Sequence, residues 1–225
     1  MSTIEVLERL CRERHSCRAF VPGLVPRATI DGMIELAQRT ASDCNTQAWN
    51  VIVLGGQLLE SVRKEMYNRA SSSAPPVHDI APIAQYTGRF QERRRECGWG
   101  LYGAVGIERG DRAASGRQLL ENFRFFGAPH VALVLTDASL GVRALLDCGG
   151  WLTSFLLAAE AYGVGAVPQA SIAYRADVLR EIVGIPVTQH IVFGVAFGWA
   201  DEAHPANGFR TKRAPLTEVV EYRNE

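Results

Sequence analysis

The apolar residues of this chain arrive in short packets rather than in one long run. Val131–Leu135 is a strand-length stretch, and Trp151–Ala159 is cut off by Glu160. A helix that crosses a bilayer needs about 20 consecutive apolar residues, so the packets predict no membrane span and no membrane partner. They must bury one another, and a chain of 225 residues is long enough to do so, in one domain (1–225) or two small ones, with a sizeable core. Basic and acidic side chains number 24 each, giving zero formal net charge, which removes the electrostatic footprint of a nucleic-acid binder. A small molecule or another protein chain is the expected partner. The opening residues Met1-Ser-Thr-Ile-Glu-Val-Leu-Glu-Arg mix charge with apolar groups and do not read as a secretory leader, so a cytoplasmic location is expected. The five cysteines stand at scattered positions with no Cys-x-x-Cys, the pattern of reduced, structural thiols.

Local patterns divide the packets into helices and strands. Ser2 and Glu5 form a capping box ahead of Ile4, Leu7, Leu10 and Cys11, predicting a helix to about Glu13. Pro26 suits a first helical position before the stripe Ile30, Met33, Ile34 and Ala37. Trp49–Leu54, rich in β-branched residues, reads as a strand ending at Gly55-Gly56, and a helix follows from Leu58 to about Ala70. Ser71-Ser-Ser-Ala-Pro-Pro76 reads as a flexible loop, and 71–107 as an excursion able to act as a lid or substrate channel. A helix closing Leu119 to Phe126, a buried strand at Val131–Thr136 and a long central helix around Leu145–Ala159 come next. Beyond them lie a short strand at Gly163–Pro168, a helix at Ala176–Val183 and a strand at His190–Gly198. Helices outnumber roughly four short strands, which makes the class α+β. The tail 199–225 is rich in turn residues and carries Leu216, Val219 and Val220, apolar groups that need a surface to cover, such as a neighbouring subunit.

Several chemistries are unmarked. The sequence has no Gly-x-Gly-x-x-Gly after a strand, no P-loop, no Gly-x-Ser-x-Gly elbow and no His-Glu-x-x-His, and its five histidines are isolated, so no metal is expected. Polar clusters at the edges of apolar elements remain. Arg14-His-Ser-Cys-Arg18 places two guanidinium groups and a hydroxyl where a phosphate and an adjacent polyol could be gripped, although cations at a helix C-terminus would explain the arginines equally well. Ser42-Asp-Cys-Asn-Thr-Gln47 offers amides that both donate and accept, suited to the edge of a heteroaromatic ring, or simply forms a turn. Arg210 and Arg213 can add positive charge to the same phosphate, or belong to a solvated tail. Arg93-Arg-Arg95 reads as a solvated arginine face.

Six segments in fixed order resemble the FMN-dependent nitroreductase family. They are Arg14–Arg18, Ala41-Ser-Asp-Cys-Asn-Thr-Gln-Ala-Trp49, Gly163-Val-Gly-Ala-Val-Pro-Gln169, Leu179-Arg-Glu-Ile-Val-Gly-Ile-Pro186, Val195-Ala-Phe-Gly198 and Arg213-Ala-Pro-Leu216. Arg89–Gly98 and Asn122-Phe-Arg-Phe-Phe-Gly-Ala-Pro129 are similar to the branch that reduces nitrobenzoate and related nitroaromatics. The resemblance implies a three-layer α/β/α fold with a mixed, mainly antiparallel sheet in an intertwined homodimer, the 199–225 tail reaching the partner subunit.

The resemblance also implies FMN as cofactor and NADH or NADPH as electron donor. Arg14, His15 and Ser16 would hold the FMN phosphate and ribityl chain, with Arg213 and Arg210 closing on the phosphate. Arg18 would lie near the pyrimidine edge, where a fixed cation stabilises the negative charge of the reduced ring. Ser42, Asp43, Asn45 and Gln47 would approach the flavin from the other subunit, and the backbone of Pro168, Gln169 and Ala170 would run past its reactive N5. No side chain is expected to be catalytic, since the cofactor performs the hydride transfer. Trp99, Tyr102, Phe123 and Phe126 are candidate walls of an acceptor pocket, with core or lid packing the alternative. Many relatives carry Glu-Gly after the Pro and a Pro after the Gln, where this chain has Gln169-Ala170 and Ala48. The expected reaction is ping-pong, two-electron reduction of a nitroaromatic to the hydroxylamine. Alternatives are a quinone or enone reductase, a reductive dehalogenase, or a flavin-storing relative with a covered active face.

Overall fold

The computed structural model describes residues 1–72 and 74–223. Ser73, inside the Ser71–Pro76 stretch, and Asn224 and Glu225, at the end of the tail, lie outside the described residues. The helices are α1 (Thr3–Glu13), α2 (Arg27–Ala37), α3 (Gly56–Ser71), α4 (Gly88–Ala104), α5 (Arg112–Leu120), α6 (Gly141–Ala161), α7 (Ala170–Ala173), α8 (Ala176–Val183) and α9 (Pro205–Gly208). The strands are β1 (Asn50–Gly55), β2 (His130–Asp137), β3 (Gly165–Gln169) and β4 (Gln189–Gly198), in the order β1-β2-β4-β3 with every pair antiparallel. The sheet is nevertheless mixed, because Ser16 forms a parallel bridge with Ala166 at the β3 edge.

Alternation along the two central strands builds two cores. Val131, Leu133, Leu135, Ile191 and Ala196 point to one face, where α3, α7 and α8 supply Leu59, Val62, Met66, Ile172, Val178 and Leu179. Ala132, Val134, Val195 and Phe197 point to the other, against Ile30, Met33 and Ala37 of α2 and Cys148, Trp151, Phe155 and Ala159 of α6. Strands buried on both faces read as continuous apolar runs, which is why Val131–Leu135 was so visible. The three-layer α+β expectation holds, and each predicted strand lies within two residues of the observed one.

Three details differ from the sequence reading. Pro26 sits at the N-cap of α2, one residue before the helix. The helix expected to close at Phe126 ends at Leu120, and Glu121–Gly127 is a 3₁₀ turn in which Phe125 and Phe126 take φ of 57° and 53°. Ala138–Ala161 is long enough, and at a mean hydropathy of 1.3 apolar enough, to meet the length and composition of a membrane span. Uninterrupted runs did not show this, because Thr153, Ser154 and two glycines break them. Trp151 and Phe155 of that helix are fully buried and stacked at 5.0 Å in the second core, the position of a central helix.

Candidate functional site

The Arg14–Arg18 segment leaves α1 at Arg14 and turns onto the exposed edge of β3. Cys17 N–H donates to Ala166 O at 3.0 Å, and a Cβ on Gly165 would meet Cys17 Sγ at 2.8 Å, so glycine is required for the close approach. Burial pushes the Cys17 thiol up to about 11 and fixes it as a packed, neutral group. The structure therefore joins two segments that the sequence marked separately, Arg14–Arg18 and the Pro168-Gln169-Ala170 end of β3.

A third segment closes on them through Asn207, which is buried in α9. Its Oδ1 accepts from Arg18 N–H at 2.6 Å, its Nδ2 donates to Ala19 O at 2.8 Å and to Asp201 O at 2.9 Å, and its own carbonyl accepts from Arg210 Nη1 at 2.5 Å. Sequence reasoning missed this clamp. Its only signal was a Pro-Ala-Asn-Gly turn ahead of the two basic residues.

The result is a cavity of about 690 Å³ lined by Arg12, Arg14, His15, Ser16, Arg18, Phe209, Arg210 and Arg213, with Cys11, Glu13, Glu160, Glu202 and Thr211 completing it. Among the described residues, none of its five arginines forms an ion pair. Arg213 is held by Thr211 Oγ1 at 2.7 Å and by two backbone carbonyls, and Arg18 by Ser16 O at 3.2 Å. Burial pulls the Arg18 guanidinium below its ordinary value, the sign of a cation held without its counter-charge. Two further polar atoms in these segments, His15 Nε2 and Gln169 Oε1, are buried without a hydrogen-bond partner. A donor set of this kind fits an elongated ligand with a phosphate at one end.

Ser42, Asp43, Asn45 and Gln47 lie elsewhere, in a 3₁₀ turn (Asp43–Asn45) beside the N-terminal half of α6. Asp43 N–H donates to the Asp147 carboxylate at 3.3 Å, and Gln47 N–H to Ser42 Oγ at 2.9 Å. Cys44, Asn45 and Gln47 have φ of 50°, 56° and 50°. Left-handed backbone costs about 1–2 kcal/mol per non-glycine residue, and strain held at one place is characteristic of ligand-handling segments. The amides are exposed, and within one protomer they do not line the arginine cavity.

The four aromatic candidates separate into two pairs. Trp99 and Tyr102 stack edge-on at 5.8 Å on α4, where they line a hollow of about 410 Å³ with Arg94, Arg95, Cys97 and Gly98. Arg109 lies over the Trp99 ring at 5.4 Å. Phe123 and Phe126 instead ride on the strained 3₁₀ turn and pack partly buried against the first core. The tail returns along α4 of its own protomer, with Lys212 to Glu96 at 2.8 Å and Arg93 to Glu218 at 2.6 Å, and Leu216, Val219, Val220 and Tyr222 stay exposed. No group of three or more His, Cys, Asp or Glu able to hold a metal occurs among the described residues.

Fold and site together define an α+β scaffold with an arginine-rich cavity at a sheet edge, and the Nitroreductase family model matches residues 11–199. The chain belongs to the nitroreductase family. It is 32% identical over 218 residues to nitroreductase NfnB of Mycolicibacterium smegmatis, covering 97% of this chain and 93% of the relative. It is 33% identical over 204 residues to 4-nitrobenzoate reductase of Pseudomonas putida, covering 89% and 88%. The crystal structure of the FMN-dependent nitroreductase NfnB from Mycobacterium smegmatis in complex with NADPH superposes with a TM-score of 0.93 at 31% identity, covering 99% of this chain and 100% of that one.

Proposed function

We propose that the chain is an FMN-dependent NAD(P)H oxidoreductase that reduces nitroaromatic compounds. The observation that carries this reading is the cavity of unpaired arginines closed between Arg14–Arg18, the β3 edge and Arg210–Arg213. Arg14, His15, Ser16, Arg210 and Arg213 hold the FMN phosphate and ribityl chain, and the Arg18 guanidinium favours the reduced, negatively charged ring. The backbone of Pro168, Gln169 and Ala170, at the end of β3, would hold the reacting edge of the ring. Bound there, FMN would supply two-electron chemistry between a nicotinamide donor and a nitroaromatic acceptor in a ping-pong cycle, the nitro group taking two electrons and two protons per turnover, with loss of water at the nitroso stage, to give the hydroxylamine.

The active unit is a homodimer. Ile4 and Leu7 of α1 and Val142 and Leu146 of α6 are exposed to between 49% and 73%, although α1 and α6 pack side by side. An apolar face of that kind is the mark of a protein interface. The Ser42–Gln47 turn is bound to the same end of α6 through Asp147, beside exposed apolar residues of that helix, which supports a role for its amides across the dimer interface. Trp99 and Tyr102, with Phe123 and Phe126, wall the acceptor pocket, and an arginine of the Arg89–Arg95 stretch meets an acceptor carboxylate. Replacing Arg95, which lines the Trp99 hollow, with alanine then raises KM for 4-nitrobenzoate at least several-fold more than for nitrobenzene. Equal changes for the two substrates would remove the arginine from substrate recognition.

An anaerobic visible spectrum of the purified, FMN-reconstituted protein tests the whole reading. Flavin bands that bleach with NADH or NADPH and return with 4-nitrobenzoate are the expected result. Bands that never bleach would turn the reading toward flavin storage, and return only with a quinone or enone would reassign the acceptor.

A further inference from the structure

We propose that the Gln169 side chain is a positioning residue for the acceptor: its carboxamide latches the Asn122–Gly127 turn, and with it Phe123 and Phe126, to the end of β3. The inference rests on the functional reading above for what the latch serves, but the latch itself stands on geometry. Gln169 is 3% exposed and occupies the N-cap of α7, where it makes no side-chain cap bond. Its Nε2 instead donates across 47 residues to Asn122 O at 2.9 Å and to Asn122 Oδ1 at 3.3 Å. Asn122 in turn donates its Nδ2 to Leu119 O at 2.9 Å, so the bonds run from the last turn of α5 through the Glu121–Gly127 turn to β3.

Both groups that face Gln169 are acceptors, and this fixes the amide orientation. A flipped amide would set Oε1 against two oxygens, so the NH₂ must point to Asn122 and Oε1 is left buried without a donor. The turn so held contains bulky residues in the left-handed region at Phe125 and Phe126. Such a conformation persists only where its surroundings over-determine it, and the Gln169 bonds are one of those determinants. A carboxylate at 169 cannot donate and would face two oxygens in a site closed to water, whereas the protonated acid would restore one donor. The choice of glutamine here sets where the aromatic wall stands relative to the strand that carries the flavin contacts.

The test compares Gln169→Glu with the wild-type chain in two ways. In the apoprotein, a carboxyl whose folded pKa is raised by burial costs stability above its unfolded value near 4.3, and the cost grows as pH rises toward the folded pKa. The gap in Tm between wild type and Gln169→Glu is therefore expected to widen from pH 5.5 to pH 8.5, whereas Gln169→Met, which removes the donor without adding a titratable group, is expected to show the same gap at both pH values. A Gln169→Glu gap independent of pH overturns the latch. In the FMN-loaded enzyme, Gln169→Glu is expected to raise KM for nitrobenzene about tenfold at pH 8 and about twofold at pH 6, moving KM for the nicotinamide by less than about twofold. Equal movement of the two KM values overturns the positioning role. Failure of wild-type protein to hold FMN would count against the functional reading alone, and the Tm comparison would still decide the latch. If Gln169→Glu does not fold at any pH, Gln169→Met carries the test, since it removes the donor and leaves the Asn122 carbonyl unmet: a raised nitrobenzene KM with an unchanged nicotinamide KM supports the latch, and two unchanged values overturn it.

Discussion

Two groups of arginines in this chain look alike in sequence and do opposite things in the structure. Around α8, every guanidinium meets a carboxylate. Arg69 binds Glu65, Asp177 and Glu181 at 2.6, 3.0 and 2.5 Å, Arg175 pairs with Asp177, and Arg180 binds Asp79 at 2.8 Å. Two of the three staple the chain from Ala74 to Asp79: Arg175 also donates to Ala74 O and Pro75 O, and Asp79, the partner of Arg180, also accepts from Ile191 N–H at 2.8 Å. At the β3 edge, five arginines share one cavity without forming an ion pair among the described residues. Three carboxylates, Glu13, Glu160 and Glu202, line the same cavity without pairing with them, so the arginines outnumber the acids there, and an excess of cations in one place costs self-repulsion and desolvation. The paired group is explained by the fold it holds; the unpaired group fits the phosphate that the proposed function assigns to it.

Mutations can break this contrast from either side. The largest stability effect is expected from Asp79→Ala, which strands Arg180 and removes the acceptor of Ile191 N–H. A loss of about 3 kcal/mol in urea unfolding follows from breaking a partly buried pair, and a loss below about 1 kcal/mol would mean that the staple is decorative. Arg14→Ala and Arg213→Ala should do the reverse. Each removes a charge-assisted phosphate contact of about 1.5–3 kcal/mol, so FMN is lost on purification, while apoprotein stability stays within about 0.5 kcal/mol of wild type. Full FMN occupancy in both variants would remove these residues from the phosphate site.

A smaller effect concerns the strained Ser42–Gln47 turn. Cys44→Gly relieves a left-handed residue and should stabilise the chain by about 0.5–1 kcal/mol by thermal unfolding, whereas destabilisation would show that the thiol is doing the holding. The smallest effect is a pH dependence at His130. Burial lowers its pKa, and its Nε2 accepts from Val25 N–H at 3.1 Å, so it is folded in the neutral form. The unfolded chain binds this proton first as pH falls. Stability from His130 is complete above its unfolded pKa near 6.5 and declines as pH drops below it. His130→Gln should flatten that limb of the Tm curve between pH 7 and pH 5, and an unaltered limb would exclude His130 as its source.

The parts of the fold set by local chemistry were legible. The Ser2–Glu5 capping box is present with both of its bonds, α8 runs Ala176–Val183 and ends at Gly184 in the left-handed conformation, and the doubly buried β2 announced itself as an apolar run. The site was legible in its charges but not in its connections. Arg14, Arg18, Arg210 and Arg213, marked in sequence as cations, do line one cavity, yet the Asn207 clamp that closes it depends on bonds across 189 residues that no local pattern encodes. The left-handed Phe125 and Phe126 were hidden for a related reason: glycine and asparagine advertise such backbone, whereas phenylalanine is held in it by tertiary contacts. The staple around Arg175 was invisible too, and it alters the reading of Ser71–Pro76, whose described C-terminal half is tied down by Arg175.

The central claim is that the unpaired arginines hold a phosphate, and a titration of apoprotein with FMN and with riboflavin, followed by quenching of flavin fluorescence, tests it most directly. The two ligands share the ring and the ribityl chain and differ only in the phosphate. The account predicts that FMN binds at least about 100-fold more tightly, and that Arg14→Ala combined with Arg213→Ala collapses the difference to less than about tenfold. Equal affinity for FMN and riboflavin in the wild-type chain would contradict it.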